Sequence, residues 1–315
     1  MDIKQKTDRV DRLAGLRRFA IAITVLNLLG HLWFGFEQSF AQPLVSLLAA
    51  YSTELALELI DAWAMRRPIR IKPNLRSVID FFLSAHISGL AVAMLLYAND
   101  RLWVVAFGAA VAITSKAIFR FKSGEDYRHF FNPSNFGISA VLLTFPWVGI
   151  VPPYHFTENL GNVGTWVFPC VIICTGSLLN TVFTKRIPLV LAWVSTYLLQ
   201  ALIRTAILGT PILAGLVPVT GVAFLLFTFY MVTDPATTPS RRWPQIAFGF
   251  SVAAVYSALV YSHVVFAMFF ALTIVCAVRG SYLFILSRRA VAMPAISAKS
   301  PAMSEAVSEV VGSAA

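Results

Sequence analysis

Between residues 119 and 137 the chain reads Phe-Arg-Phe-Lys-Ser-Gly-Glu-Asp-Tyr-Arg-His-Phe-Phe-Asn-Pro-Ser-Asn-Phe-Gly, a polar, aromatic-rich loop running into an apolar helix. Asn132-Pro133 is a good helix start in its own right, because asparagine caps and proline fits the first helical position. More chemistry is available when the neighbours are included. Asn132 and Asn135 each offer a donor and an acceptor, and Phe130, Phe131 and Phe136 offer stacking surfaces. His129 stands beside them, and free N–H groups at a helix start favour anionic groups. Together they suit a planar ligand with polar edges, such as a flavin ring or a quinone head.

A second segment, Phe229 to Pro239, contains Thr233-Asp234-Pro235. An Asp-Pro break often marks only a helix terminus and turn. Its equal depth with Asn132 makes Asp234 a candidate contact for the same ligand. A third constellation is acidic: Glu54, Glu58 and Asp61 fall at i, i+4 and i+7, on one helical face. Asp80 and His86 stand in the next apolar stretch. Charges inside a bilayer face a bundle interior, a partner or water. Two readings follow, ion pairing with Arg66, Arg67 or Arg70 near the helix end, or a proton or cation path through Glu54, Glu58 and Asp61. Cys170 and Cys174 share a helical face, as small core residues or as half of a metal site completed elsewhere, and the three cysteines form neither a disulfide framework nor a zinc pattern. No metal site is assigned. No nucleotide loop, Ser/His/Asp set or zinc-protease signature is present.

The elements that carry these groups are hydrophobic. Of 315 residues, 58% are hydrophobic and 13% charged, outside the range of soluble globular domains. Apolar runs of about 18 residues or more recur, long enough to cross ~30 Å of hydrocarbon. The expected fold is therefore all-α, a polytopic membrane protein whose partner is the lipid bilayer. About ten spans are expected: 19–36, 44–64, 78–98, 102–119, 134–151, 166–183, 188–208, 212–232, 245–261 and 264–286. Residues 1–18 read as a charged tail, 19–288 as the transmembrane domain and 289–315 as a weakly ordered tail rich in Ala, Ser and Val. The net charge of +10 does not describe a nucleic-acid-binding face, because the basic residues fall in alternate loops. Of the 25 Lys and Arg residues, all but Arg101, Arg204 and Arg279 lie in the tails and the loops of one side, which predicts that both termini are cytoplasmic.

The two motif segments, Arg128-His129-Phe130-Phe131-Asn132-Pro133-Ser134-Asn135-Phe136-Gly137 and Tyr230-Met231-Val232-Thr233-Asp234-Pro235, resemble the paired signatures of the NqrB/RnfD family. Those proteins are integral subunits of the sodium-pumping NADH:quinone reductase and the Rnf electron-transport complex. The resemblance implies ten helices with cytoplasmic termini, a bacterial cytoplasmic (inner) membrane, and partner redox or membrane subunits. It implies flavin-mediated electron transfer, with a non-covalent flavin near Asn132 and Asn135. The family joins a second flavin, FMN, to a threonine of a Ser-Gly-Ala-Thr motif between spans five and six. Here the loop 149–165 lacks that motif, and Thr165, after Gly164, and Thr157 are its candidates. In lacking it the chain resembles the shortened membrane proteins found with enediyne natural-product biosynthesis.

Two functions are expected to compete. One is a redox subunit, at most part of an oxidoreductase complex, holding a riboflavin, FMN or quinone at Asn132, Asn135, Phe131, Phe136, His129 and Asp234. The other is an ion-coupled transporter or export-associated protein that uses the acidic stripe and binds no flavin.

Overall fold

A computed structural model describes residues 3–36, 38–123, 126–150 and 161–292. In chain order its elements are α1 (Ile3–Leu29), running into a π-helical turn (Gly30–Phe34), α2 (Ala41–Ala64), α3 (Leu75–Leu95), β1 (Leu96–Tyr97), α4 (Leu102–Ile118), β2 (Arg120–Ser123) and β3 (Asp126–His129). There follow α5 (Pro133–Thr144), β4 (Gly149–Ile150), α6 (Gly161–Leu178) with a π-helical turn (Leu179–Phe183), and α7 (Ile187–Leu208). Last come α8 (Ile212–Thr220), α9 (Val222–Leu226) with a third π-helical turn (Phe227–Met231), α10 (Arg242–Tyr261) and α11 (Ala267–Ala292).

The chain is an all-α, multi-pass membrane protein, 77% helical. Among the described residues seven helices are long and apolar enough to cross a bilayer, and the α8–α9 pair, bent by 64°, makes an eighth if it is one span. Leu32, Leu44, Leu191, Leu213 and Val278 are exposed on these helices. Such faces are stable against lipid tails, which are as apolar as leucine itself.

Each of the ten expected apolar stretches carries helix, but two are short. α4 has 17 residues and α5 only 12. At 1.5 Å per residue α5 reaches about 18 Å, short of ~30 Å of hydrocarbon. The helix of the expected span 134–151 therefore ends at Thr144, and Gly149–Ile150 form β4, antiparallel to β1. The expected span 212–232 breaks where Pro218 withholds a helical N–H and Gly221 turns extended. The charged tail is not separate from the first span, since α1 is continuous from Ile3. At the other end α11 continues to Ala292, and 293–315 lie outside the described residues.

By packing, the chain forms two units, 1–115 with 136–165, and 116–135 with 166–315. In the first, α1, α2 and α3 approach through small residues: Ala50 and Ala85 are fully buried, and the Ser46 hydroxyl donates to the Gly89 carbonyl at 2.6 Å. α4 and α5 meet at glycines, where a Cβ on Gly137 would collide with the Gly108 carbonyl oxygen. In the second unit Trp193, Tyr197, Phe227 and Phe269 are fully buried. The Trp193 indole donates to Thr228 at 2.9 Å and the Tyr197 hydroxyl to the Gly215 carbonyl at 2.8 Å. α7 and α10 cross at Gly249, whose added Cβ would lie 2.5 Å from the Leu189 carbonyl oxygen.

The segment expected as a loop before Asn132 is a β-hairpin. Arg120 pairs with His129 and Lys122 with Tyr127, and β2 packs on α11. The alternation along β2 buries Phe121 while Arg120 and Lys122 face outward.

Candidate functional site

In the second unit the chain leaves the hairpin through an aromatic cluster. Phe119, Phe130 and Phe131 meet with ring centroids 4.8–5.9 Å apart, and Phe130 lies flush on Gly280, where no Cβ would fit. Asn132 then caps α5. Its Oδ1 accepts from the Asn135 N–H at 3.0 Å and the Ser134 hydroxyl at 2.9 Å. Its Nδ2 donates to the Met231 carbonyl at 3.1 Å, which joins the two motif segments directly. Asn135 donates through Nδ2 to the Phe269 carbonyl at 3.0 Å and the Thr273 hydroxyl at 2.9 Å. Its Oδ1 has no hydrogen-bond donor among the described residues, although the residue is only 2% exposed.

The second motif is held by its π-helical turn. A π turn shifts the i→i−4 pattern, and here side chains serve the carbonyls it presents. Phe229 O accepts from Asn180 Nδ2 at 2.8 Å and from the Thr233 hydroxyl at 2.6 Å. The loop that follows is an Asx turn: Asp234 accepts from the Ala236 N–H at 3.0 Å and the Thr237 hydroxyl at 3.3 Å. Three arginines attach to this loop. Arg186 Nε donates to the Thr238 hydroxyl at 3.0 Å, Arg279 Nη1 to the Thr237 carbonyl at 2.8 Å and Arg128 Nη2 to the Pro235 carbonyl at 3.3 Å. Burial pushes the Arg186 guanidinium down to about 10; the charge of Asp234 opposes that fall and the charge of Arg128 adds to it.

The acidic stripe belongs to the first unit. Glu58, 1% exposed, accepts from Arg67 at 2.7 and 3.0 Å, from Arg70 Nε at 2.6 Å and from the Arg70 backbone N–H at 2.8 Å. Arg67 also bonds Asp61 at 2.6 Å, and its hydrogen bonds to Glu58 and Asp61 hold the guanidinium above its usual range. Arg17 grips Asp80 through two bonds of 2.7 and 2.6 Å. Glu58 and Asp61 thus pair with arginines at the end of α2, whereas the partner of Asp80 is Arg17 of α1. Glu54 lies one turn deeper and is half-buried. Deeper polar contacts continue between α1, α2 and α3. His86 lies between the Tyr51 hydroxyl at 2.5 Å and the Thr24 hydroxyl at 2.7 Å. Gln42 and Gln38 both donate to the Leu96 carbonyl, at 2.9 and 3.2 Å.

The structure therefore gathers Asn132, Asn135, Phe131 and Asp234 in one unit. Asn132 and Phe131 are spent there on the protein itself, the amide on a cap and a carbonyl, the ring on Phe119 and Phe130. His129 ends β3 and is half-buried. Phe136, also half-buried, and Thr165 fall in the first unit. Thr165 lies on the first turns of α6 with its hydroxyl donating to the Gly161 carbonyl at 3.0 Å; Thr157 is outside the described residues. Cys170 and Cys174 are exposed and line a shallow apolar groove of about 460 Å³ along α6, with Trp166 and Thr175. Among the described residues no three His, Cys, Asp or Glu side chains gather as a metal-ligand set.

Sequence reasoning missed Asn180, Thr273, Arg186 and Arg279. A polar or charged residue inside an apolar stretch was the signal for three of them. Arg186 was counted only as a loop charge that sets orientation. A scan of the chain against protein-family models gives no match, and a search of the curated proteins gives none either.

Proposed function

We propose that the chain is a membrane electron-transfer subunit of the NqrB/RnfD type that holds a non-covalent flavin, or a quinone in its place, in its second unit. The observation that carries this reading is the Asn132–Met231 hydrogen bond, which makes one structure of two segments that resemble that family's paired signatures. The residues present fit the group. Among the described residues the Asn135 Oδ1 is a buried acceptor lacking a donor, and an N–H on a flavin edge would complete it. Asn132 positions Asn135 by capping α5, and Asp234 shapes the loop beside it. A bound flavin would take up and release electrons, and the protein's part is to hold it and exclude competing reactions. Donor and acceptor would be partner redox or membrane subunits. About ten spans with both termini cytoplasmic, in a bacterial inner membrane, complete the reading, and the altered loop before Thr165 favours a branch serving enediyne-type biosynthesis.

The test is an absorbance and fluorescence spectrum of detergent-purified protein before and after acid precipitation. Flavin released into the supernatant supports the reading. Flavin retained in the pellet would mean covalent attachment, with Thr165 the first residue to replace. Protein that is colourless even after incubation with flavin overturns it.

A second reading, ion-coupled transport without flavin, is favoured by one observation. Tyr51, His86 and Thr24 form a hydrogen-bonded chain across α2, α3 and α1, within the membrane-spanning part of the first unit. Such part-buried polar chains are the material of proton paths.

A further inference from the structure

Arg186 stands in the turn between the π-helical end of α6 and the start of α7, and only 6% of it is exposed. A guanidinium carries five N–H donors and, at neutral pH, a positive charge. One donor, Nε, meets the Thr238 hydroxyl. Its terminal nitrogens make no hydrogen bond among the described residues, and no described carboxylate comes within ion-pair distance of it. A buried charge is ordinarily paired or fully hydrogen-bonded. This one is neither.

The surroundings sharpen the point. Arg279 and Arg128 fasten to the same loop, at the Thr237 and Pro235 carbonyls. Arg186 feels the charge of Arg128, and Arg279 feels those of both. Among the described residues Asp234 is the acidic side chain in this group. Three arginines and Asp234 therefore gather on a loop whose threonines, Thr237 and Thr238, are buried.

We infer that Arg186, Arg279 and Arg128 form a binding site for a phosphate monoester over the Thr237–Thr238 turn. Arginine matches phosphate oxygens with paired N–H groups, and a dianion would give the Arg186 guanidinium the ion pair it lacks. Riboflavin and quinones carry no such group, so among the ligands considered above the site selects FMN. That last identification rests on the flavin reading; the phosphate itself does not. The same chemistry is offered by free phosphate and by the headgroup of phosphatidic acid.

The experiment uses the full-length protein, stripped of flavin and placed in phosphatidylcholine nanodiscs. It is titrated with FMN, riboflavin, radiolabelled inorganic phosphate and short-chain phosphatidic acid, as wild type, Arg186→Gln, Arg186→Lys and Arg128→Gln. The expected result is FMN bound about tenfold or more tighter than riboflavin, with phosphate competing. Arg186→Gln lowers FMN affinity to the riboflavin level and leaves riboflavin binding unchanged. Arg128→Gln, at a half-buried position, keeps the comparison available if Arg186→Gln fails to fold. Equal affinity for FMN and riboflavin in the wild type overturns the phosphate site and leaves the flavin reading standing. Phosphate binding that Arg186→Gln abolishes, without binding of either flavin, supports the site and sinks the flavin reading. Phosphatidic acid retained by the wild type and lost by Arg186→Gln supports the site and identifies a lipid as its source. Failure of all three phosphate compounds to bind the wild type overturns it.

Discussion

The Asn180 side chain donates to the Phe229 carbonyl across 2.8 Å and so ties the π-helical turn at the end of α6 to the one at the end of α9. The same amide donates to the Gly176 carbonyl at 2.9 Å, and the residue is fully buried. The loop bearing Asp234 and Thr238 leaves directly from the second of these turns, so a side chain of the α6 turn helps to set where that loop begins.

Replacing Asn180 with alanine removes a buried donor from two carbonyls and is expected to cost about 1–3 kcal/mol. Detergent-solubilised protein should melt several degrees lower, with its flavin content reduced. Wild-type melting would show that the two turns hold without the amide.

Asn135→Leu is expected to remove flavin while leaving the protein inserted and monodisperse. The leucine sacrifices the bonds to Phe269 and Thr273, but the Thr273 hydroxyl still donates to the Phe269 carbonyl at 3.0 Å. Full flavin occupancy in this variant, read as the ratio of flavin to protein absorbance, would exclude Asn135 as a ligand contact.

Glu58 and Glu54 should behave differently. Glu58→Gln discards the charge that both Arg67 and Arg70 meet, and should lower the melting temperature, with strong coupling to Arg67→Gln in a double-mutant cycle. Glu54→Gln should leave stability and flavin content intact, while slowing ion movement in proteoliposomes if the transport reading holds. Unchanged flux would return Glu54 to a structural role.

For His86 the hydrogen bonds fix the proton. With the Thr24 hydroxyl donating to the Ala20 carbonyl at 2.7 Å, His86 Nε2–H is the donor to Thr24 and Nδ1 accepts from Tyr51. His86→Phe breaks this chain, and Tyr51→Phe removes its outer hydroxyl. If protons pass here, decay of an imposed pH gradient in proteoliposomes stops in the first variant and slows several-fold in the second. Equal decay in all three proteins would leave the chain as a helix tie.

Arg186 supplies a pH dependence. Its folded value, about 10, lies below the ordinary 12.5, so the folded, ligand-free protein binds this proton less well than the unfolded chain. The cost of burying the charge is therefore present below about 10 and is relieved as pH rises from there towards 12.5. Relative to Arg186→Gln, the ligand-free wild type should gain stability across that window, and a bound phosphate should abolish the gain. Parallel melting curves for the two proteins would contradict the burial of a charged guanidinium there.

Much of the helical layout was legible in the sequence, because runs such as Ile187–Leu208 declare themselves by length and apolarity alone. The pairing of the two motif segments was legible too, from shared depth. The hairpin was not, because four alternating residues in Arg120–Ser123 are too short a pattern to outweigh the loop character around them. Nor was the ending of α5 at Thr144, since the apolar residues beyond it continue without a charge. The arginines misled in another way. Arg186 counted only as a loop charge, yet its side chain is folded into the protein, and composition does not record which way a loop residue turns.

Each π-helical turn also amounts to one residue more than an α-helix of the same rise would need. Since an α-helix advances about 100° per residue, that surplus rotates everything downstream by roughly a quarter turn. Deleting a single residue from Phe227–Met231 would keep the helix and its hydrophobicity, yet swing Asp234, Thr237 and Thr238 off the side on which Arg186 and Arg279 meet them. The site is thus a matter of phase as much as of composition, and one-residue deletions in these turns would damage it more than most substitutions.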